Sequence, residues 1–156
     1  MKAYRADKRD FQPGDVIRSA GEYVGAFSRE QRKVERCIDR GRQRHVPSRA
    51  RSLFVFESLD AAKKHWSKMS DGKLYEVEID EATIRHRGDM ALVEQVHHAF
   101  QAGRDIKSLI AAYWNGDLTD APEIEIMVED ARVMAVISKD QNERRQHLAK
   151  RLRLFD

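Results

Sequence analysis

Two glutamates separated by one residue, Glu123 and Glu125, stand in the run Pro122-Glu-Ile-Glu-Ile-Met-Val128. If this run is a strand, alternation sends both carboxylates to one side, about 7 Å apart at roughly 3.3 Å per residue, and Ile124, Ile126 and Val128 to the other. Acids held by a strand that is anchored through its apolar face can steady a developing cation and assist a nucleophile. A strand with one wet face produces the same alternation, so the pattern needs its surroundings before it means chemistry. Other chemistries find less support. His97 and His98 are neighbours in a predicted helix and point about 100° apart, so they do not form the metal pair of an HExxH helix. Cys37 is the single cysteine, with no partner for a disulfide or a CxxC pair. No metal is expected. Neither GxGxxG nor GxxxxGK[ST] occurs, which leaves Rossmann and P-loop mechanisms unsupported.

The elements that must position these acids are legible from periodicity. Lys2 to Ala6 reads as a short first strand, and Pro13-Gly14-Asp15 as a turn. Val34, Cys37 and Ile38 give a narrow apolar stripe on an otherwise wet helix between Ser28, a suitable N-cap, and Gly41, a suitable stop. Ser52-Leu-Phe-Val-Phe56 reads as a buried strand. It runs directly into a helix with Leu59, Ala62, Trp66 and Met69 on one stripe and Asp60 at its positive end. Asp71-Gly72 turns the chain into a strand over 73–79, with Tyr75, Val77 and Ile79 on one face. Met90, Val93, Val96 and Phe100 mark a helix over 89–100. Ile106, Leu109, Ile110 and Tyr113 mark a second, ended by Asn115-Gly116. Trp66 and Trp114 fall on apolar stripes and are expected in the core. The acidic strand and Val133 to Ile137 read as a hairpin. Residues 142–156 read as a basic C-terminal helix or tail with Leu148, Leu152 and Phe155 on one side. One domain over 1–156, of α+β class, follows from length and from the irregular order of strands and helices.

With these parts in order, the chain resembles the ADP-ribosyltransferases, over about residues 2–137. Glu123-Ile-Glu125 and the strand after it are similar to the family's Glu-x-Glu strand and its hairpin partner. Tyr4-Arg5 resembles the aromatic-Arg pair that opens the arginine-bearing branch, and Ser52 to Ala62 resembles the central strand and helix. The resemblance is to small bacterial or phage-type mono-ADP-ribosyltransferases. It implies a split β-sandwich with helices packed on the sheets, and NAD⁺ as co-substrate. Glu125 would then bind the reacting ribose and Glu123 would orient or deprotonate the nucleophile. Arg5 and Tyr4, with Ser52 and Phe54, would line the cofactor site. The match departs from the family at the central strand. Where the arginine branch carries Ser-Thr-Ser, this chain offers Ser52-Leu53-Phe54 or Phe56-Glu57-Ser58, and the tyrosine of the polymerase-related branch has Phe54 as its nearest counterpart.

Apolar residues make up 41% of the chain and charged residues 35%, a balance that folds and stays wet outside. No apolar run of membrane-spanning length and no signal peptide is evident, so a cytoplasmic location in the producing or target cell is expected. The net charge is +3 but unevenly spread. Nine Lys/Arg residues lie between Arg29 and Arg51, and Arg42, Arg44 and Arg49 are the expected target contacts in a basic loop. Such a surface attracts phosphates, and it is also what a solvated helix face looks like. The resemblance implies a toxin, effector or phage-type modifier. Its target, protein or nucleic acid, and an antitoxin or inhibitor partner are left open. The alternatives are a basic nucleic-acid-binding module and a catalytically inactive transferase-like scaffold.

Overall fold

The computed structural model describes residues 1–21 and 27–153, and everything below concerns those residues. Seven strands and five helices follow one another as β1 (Lys2–Asp7), β2 (Val16–Arg18), α1 (Arg29–Arg40), β3 (Leu53–Phe56), α2 (Leu59–Lys68), β4 (Lys73–Glu78), β5 (His86–Asp89), α3 (Met90–Gln101), α4 (Lys107–Asn115), β6 (Ile124–Val128), β7 (Asp130–Ser138) and α5 (Gln141–Arg153). The strands form one sheet in the order β2-β7-β4-β1-β3-β6-β5, and every neighbouring pair is antiparallel. The fold is therefore α+β.

Local sequence explains the element ends. Ser28 and Gln31 form a reciprocal capping box at the start of α1, Ser58 caps α2 through Ala61, and Asp89 caps α3 through Ala91. Gly116 ends α4 in the left-handed conformation, at φ 78°, that glycine adopts without cost. No helix is long and apolar enough to cross a membrane.

The sheet buries both faces. One face supplies Ala3, Leu53, Val55, Tyr75, Val77, Ile126, Val128 and Val133 to a cluster that contains no helical residue, so the sheet curls to cover itself. Helices cover the other face. α1, α3 and α4 pack over Phe54 and Met127, and α2 packs over Ala6, Phe56 and Leu74. Trp66 and Trp114 are both core residues, each tied by its indole N–H to a backbone carbonyl, of Gly72 and Ile38 respectively.

One join in the sheet differs from the rest. β1 and β3 meet at a single register pair, Tyr4↔Phe56, whereas β1 runs six pairs along β4 and β3 runs four along β6. Beyond Tyr4 no further register pair joins the two strands, a notch in the hydrogen-bond ladder. Arg5 reaches across it and donates to the carbonyl of Phe54 at 2.8 Å.

The structure departs from the sequence expectations at definite places. β6 and β7 do not form a hairpin: β6 lies between β3 and β5, β7 lies between β2 and β4, and Glu129 carries the chain from one part of the sheet to the other. The two segments have the right length and spacing for a hairpin, but the curled sheet offers each a different pair of neighbours. β2 and β5 have three and four residues and carry too little pattern to be read. The stripe of α1 is Val34, Glu35 and Ile38, with Cys37 only partly buried. Leu152 is exposed, and Phe155 lies outside the described residues.

Candidate functional site

Alternation along β6 sends Ile126 and Val128 into the self-covered face and Glu125 and Met127 under the helices. Glu125 is paired with Phe56 on β3 and with Gly88 on β5. The missing side chain at Gly88 makes room for the ring of Tyr113 from α4, which fills the space a Cβ would occupy. His86, two residues earlier on β5, packs its ring edge-on against Tyr113 at 5.0 Å and has Nε2 3.1 Å from the Tyr113 carbonyl. Burial lowers the His86 pKa. Backbone and aromatic packing thus fix the Tyr113 hydroxyl over Glu125, to which it donates at 2.7 Å.

Arg49 enters the same space from the turn before β3. Its guanidinium lies 4.6 Å from the Phe54 ring and 5.1 Å from the Tyr113 ring. It donates through Nη1 to Glu125 Oε1 and to the Tyr113 hydroxyl, and through Nε to Glu35 Oε2 at 3.1 Å. Its backbone N–H donates to Asp39 at 2.8 Å, which holds the turn against α1. Glu35 in turn meets His97 of α3 at 3.3 Å. Arg49 is 1% exposed and Glu125 2% exposed. Burial alone would raise the Glu35 pKa, but the His97 hydrogen bond and the Arg49 charge outweigh it and the net shift is downward. One guanidinium therefore serves two buried carboxylates, and His97 gives one of them a further hydrogen-bonding partner. Both protein contacts to Glu125 fall on Oε1, and Oε2 accepts no hydrogen bond among the described residues.

Glu123 lies just before β6 and takes a different direction. Its carboxylate pairs with Lys64 of α2, and its N–H donates to Asp89 at 2.9 Å. Asp89 is wholly buried and also accepts from Ala91 N–H and from both the N–H and hydroxyl of Thr119, so one carboxylate ties together α3, the loop before β6 and Glu123. Burial pushes its pKa up, yet the backbone donors of Glu123 and Thr119 bring it net below the ordinary value.

The notch carries its own charges. Arg5 Nε and Nη2 donate to Asp7 Oδ2 at 3.0 and 2.9 Å, and Asp7 also receives Arg9. Burial opposes ionisation of Asp7, but the Arg9 hydrogen bonds and the Arg5 charge lower its pKa overall. His65 of α2 sits on the Phe56 ring at 5.4 Å, and burial, reinforced by the Arg5 and Lys68 charges, lowers its pKa to about 4.

The residues expected from sequence divide accordingly. Tyr4 stands in one row with Phe56 and Glu125 across β1, β3 and β6. Arg5, next along β1 and paired with Tyr75, starts from the opposite side and reaches the notch by its length. Phe54 lies beneath Arg49, while Ser52 is buried and spends its hydroxyl on the Ser48 carbonyl at 2.9 Å. Glu123 falls outside β6, so the strand does not present the two glutamates together: Glu125 is in the core, and Glu123, partly exposed, is bound by Lys64. Arg49, expected in a basic loop facing a target, is a core residue. There it stacks on Phe54 and Tyr113 and meets two carboxylate partners, contacts that offset its desolvation. Arg42 donates to the carbonyls of Val46 and Asp39, and Arg44 is exposed. Sequence reasoning missed Tyr113, Glu35 and His97. Glu35 carried a signal, since it lies between Val34 and Ile38 on the buried side of α1. No group of three or more metal-ligating side chains occurs among the described residues.

A family model described as "Protein of unknown function (DUF2441)" matches residues 2–140, which run from β1 through β7. No curated protein matches the chain.

Proposed function

The chain belongs to the DUF2441 family, and we propose that it is an ADP-ribosyltransferase that moves ADP-ribose from NAD⁺ to a macromolecular target, with Glu125 beside the reacting ribose. One observation carries this reading: β1, β3 and β6, which bear Arg5, the central aromatic strand and Glu125, lie side by side, and the β1–β3 ladder stops at the row Tyr4, Phe56 and Glu125. In this reading the notch is the cleft of a split β-sandwich.

The fit to NAD⁺ rests on Glu125 and Arg5. Arg49 and Tyr113 hold Glu125 by one oxygen, and Oε2, without a protein hydrogen bond among the described residues, is the atom left for a ribose hydroxyl. Arg5 brings a cation to the notch, held in place by Asp7 and the Phe54 carbonyl, where a phosphate would be received. NAD⁺ supplies a ribose whose bond to nicotinamide breaks with positive charge developing on the sugar. A fixed carboxylate in surroundings of low dielectric stabilises that charge more in the transition state than in the ground state. Glu123 has a different task. Lys64 holds it partly exposed just before β6, from which it would orient or deprotonate the acceptor.

The test is transfer of labelled ADP-ribose from NAD⁺ to a cell lysate, divided into protease-treated and nuclease-treated halves. Label should appear on macromolecules with the wild-type protein and not with Glu125→Gln, and the treatment that removes it identifies the target class. Equal labelling by Glu125→Gln, with both proteins folded by circular dichroism, would remove Glu125 from the reaction.

A further inference from the structure

The transferase reading makes no use of the most basic part of the surface. Arg42, Arg44, His45, Arg51 and Arg85 line a concavity of about 630 Å³ together with Val46 and Pro47, and no acidic residue lines it among the described residues. Arg85 comes from the turn before β5, far along the chain, where its N–H bonds to the Met127 carbonyl at 2.9 Å. Arg42 is fixed, donating to the carbonyls of Val46 and Asp39 at 3.0 and 2.8 Å, and forms no ion pair among the described residues. Arg44, Arg51 and Arg85 are exposed and form no ion pair among the described residues, whereas Arg5, Arg9, Arg49 and Arg87 all do.

The concavity continues a second feature. On α1, Arg29, Lys33, Arg36 and Arg40 are spaced i, i+4, i+7 and i+11, which at 100° per residue places them within an arc of about 60°, along roughly 16 Å of helix. All four are exposed and none is in an ion pair among the described residues. Of the acids of α1, Glu35 is buried on Arg49 and Asp39 receives the Arg49 N–H, while Glu30 flanks the stripe at its first turn, about 60° from Lys33. Gly41 then leads the stripe into Arg42 and the concavity.

We propose that the α1 stripe and the Arg42–Arg85 concavity form a binding surface for double-stranded nucleic acid, which holds the phosphate backbone without reading sequence. A duplex strand presents one phosphate per 3.4 Å of axis, so a 16 Å stripe faces roughly four or five of them. Seven of the eight cations are arginine, whose planar fork suits phosphate oxygens. A small polyphosphate would engage the concavity and leave the stripe unused. Among the described residues the lining holds no Phe, Tyr or Trp and only the His45 ring, a small platform for stacking unpaired bases, which favours duplex over single strand. The surface acts without NAD⁺, so it stands or falls apart from the transferase reading.

Fluorescence anisotropy with a labelled random-sequence duplex of about 20 base pairs, over a potassium chloride series and without NAD⁺, tests this. Affinity should fall with salt with a log–log slope of about −4 or steeper. Arg44→Glu/Arg51→Glu and Lys33→Glu/Arg36→Glu should each weaken binding about tenfold or more and make the slope shallower by about 2. Arg145→Glu/Lys150→Glu on α5 changes net charge equally and should bind as wild type. Three results would overturn the proposal: no binding at about 50 mM salt, an equal loss in the α5 variant, or tighter binding of a single strand of the same length. Binding to phosphatidylserine vesicles that the same variants abolish, with no duplex binding, would assign the surface to membranes instead.

Discussion

Replacing Arg49 by methionine removes the guanidinium on which the buried cluster depends while keeping most of the side-chain volume. Glu35 would retain His97, but Glu125 would retain only the Tyr113 hydroxyl, and both carboxylates would stay out of water. Removing one partner of a buried ion pair costs about 3–5 kcal/mol, because the remaining charge is left desolvated. At about 2–4 °C per kcal/mol for a domain of this size, the melting temperature should drop by about 6–20 °C at neutral pH. Thermal melts followed by circular dichroism measure this directly. The double variant Arg49→Met/Glu125→Gln supplies the internal check. It removes one stranded charge, so it should be more stable than the sum of the two single losses by about 0.5–3 kcal/mol. A drop below about 2 °C in Arg49→Met, or strict additivity in the double variant, would refute the view that the pair is a coupled, fully desolvated unit.

Gly88→Ala probes how Glu125 is positioned. The new Cβ would lie 2.7 Å from Tyr113 Cζ, so the ring must move, at a cost of about 1–3 kcal/mol and with a changed near-ultraviolet circular dichroism spectrum. An unchanged melt and spectrum would show that Tyr113 is not wedged against β5. His65 predicts a pH dependence. Its folded pKa of about 4 lies below the ordinary histidine value of 6.5, so between these values the unfolded chain binds the extra proton and stability rises with pH. His65→Gln should flatten that part of the stability profile, and an unaltered slope would contradict the assignment. Asp7, Glu35 and Asp89, all lowered, add stability above the carboxylate range that is lost as pH falls through it.

Periodicity revealed what it physically encodes, and its limits lie where other forces decide. The capped helix after Ser28, the strand 53–56 that runs into α2, and the Gly116 stop are local events, and each appears in the structure within a residue or two of its expected place. Pairing is not local. Nothing in Val133 to Ile137 tells a reader that β7 pairs with β4 and β2 rather than with β6, because the choice depends on how the curled sheet buries its own face. The site shows the same division. Alternation alone put Glu123 and Glu125 on one side of a strand, but their fates differ because a helical lysine meets one and a buried arginine the other. Arg49 was read as surface because it stands among other arginines. Only the three-dimensional meeting of Phe54, Tyr113 and Glu35 makes its burial favourable.

If Glu125 acts on the ribose of NAD⁺ as proposed, the purified protein should release nicotinamide, and that release is the measurement to make. Wild type should release nicotinamide, and Glu125→Gln should be slower by about 10²–10³-fold, as for loss of one preorganised stabilising group, while still melting cooperatively. Glu123→Gln, altered at a partly exposed residue outside the buried cluster, should lose less of this activity than of transfer to an acceptor. No release by wild type, or equal release by wild type and a folded Glu125→Gln, would contradict the claim.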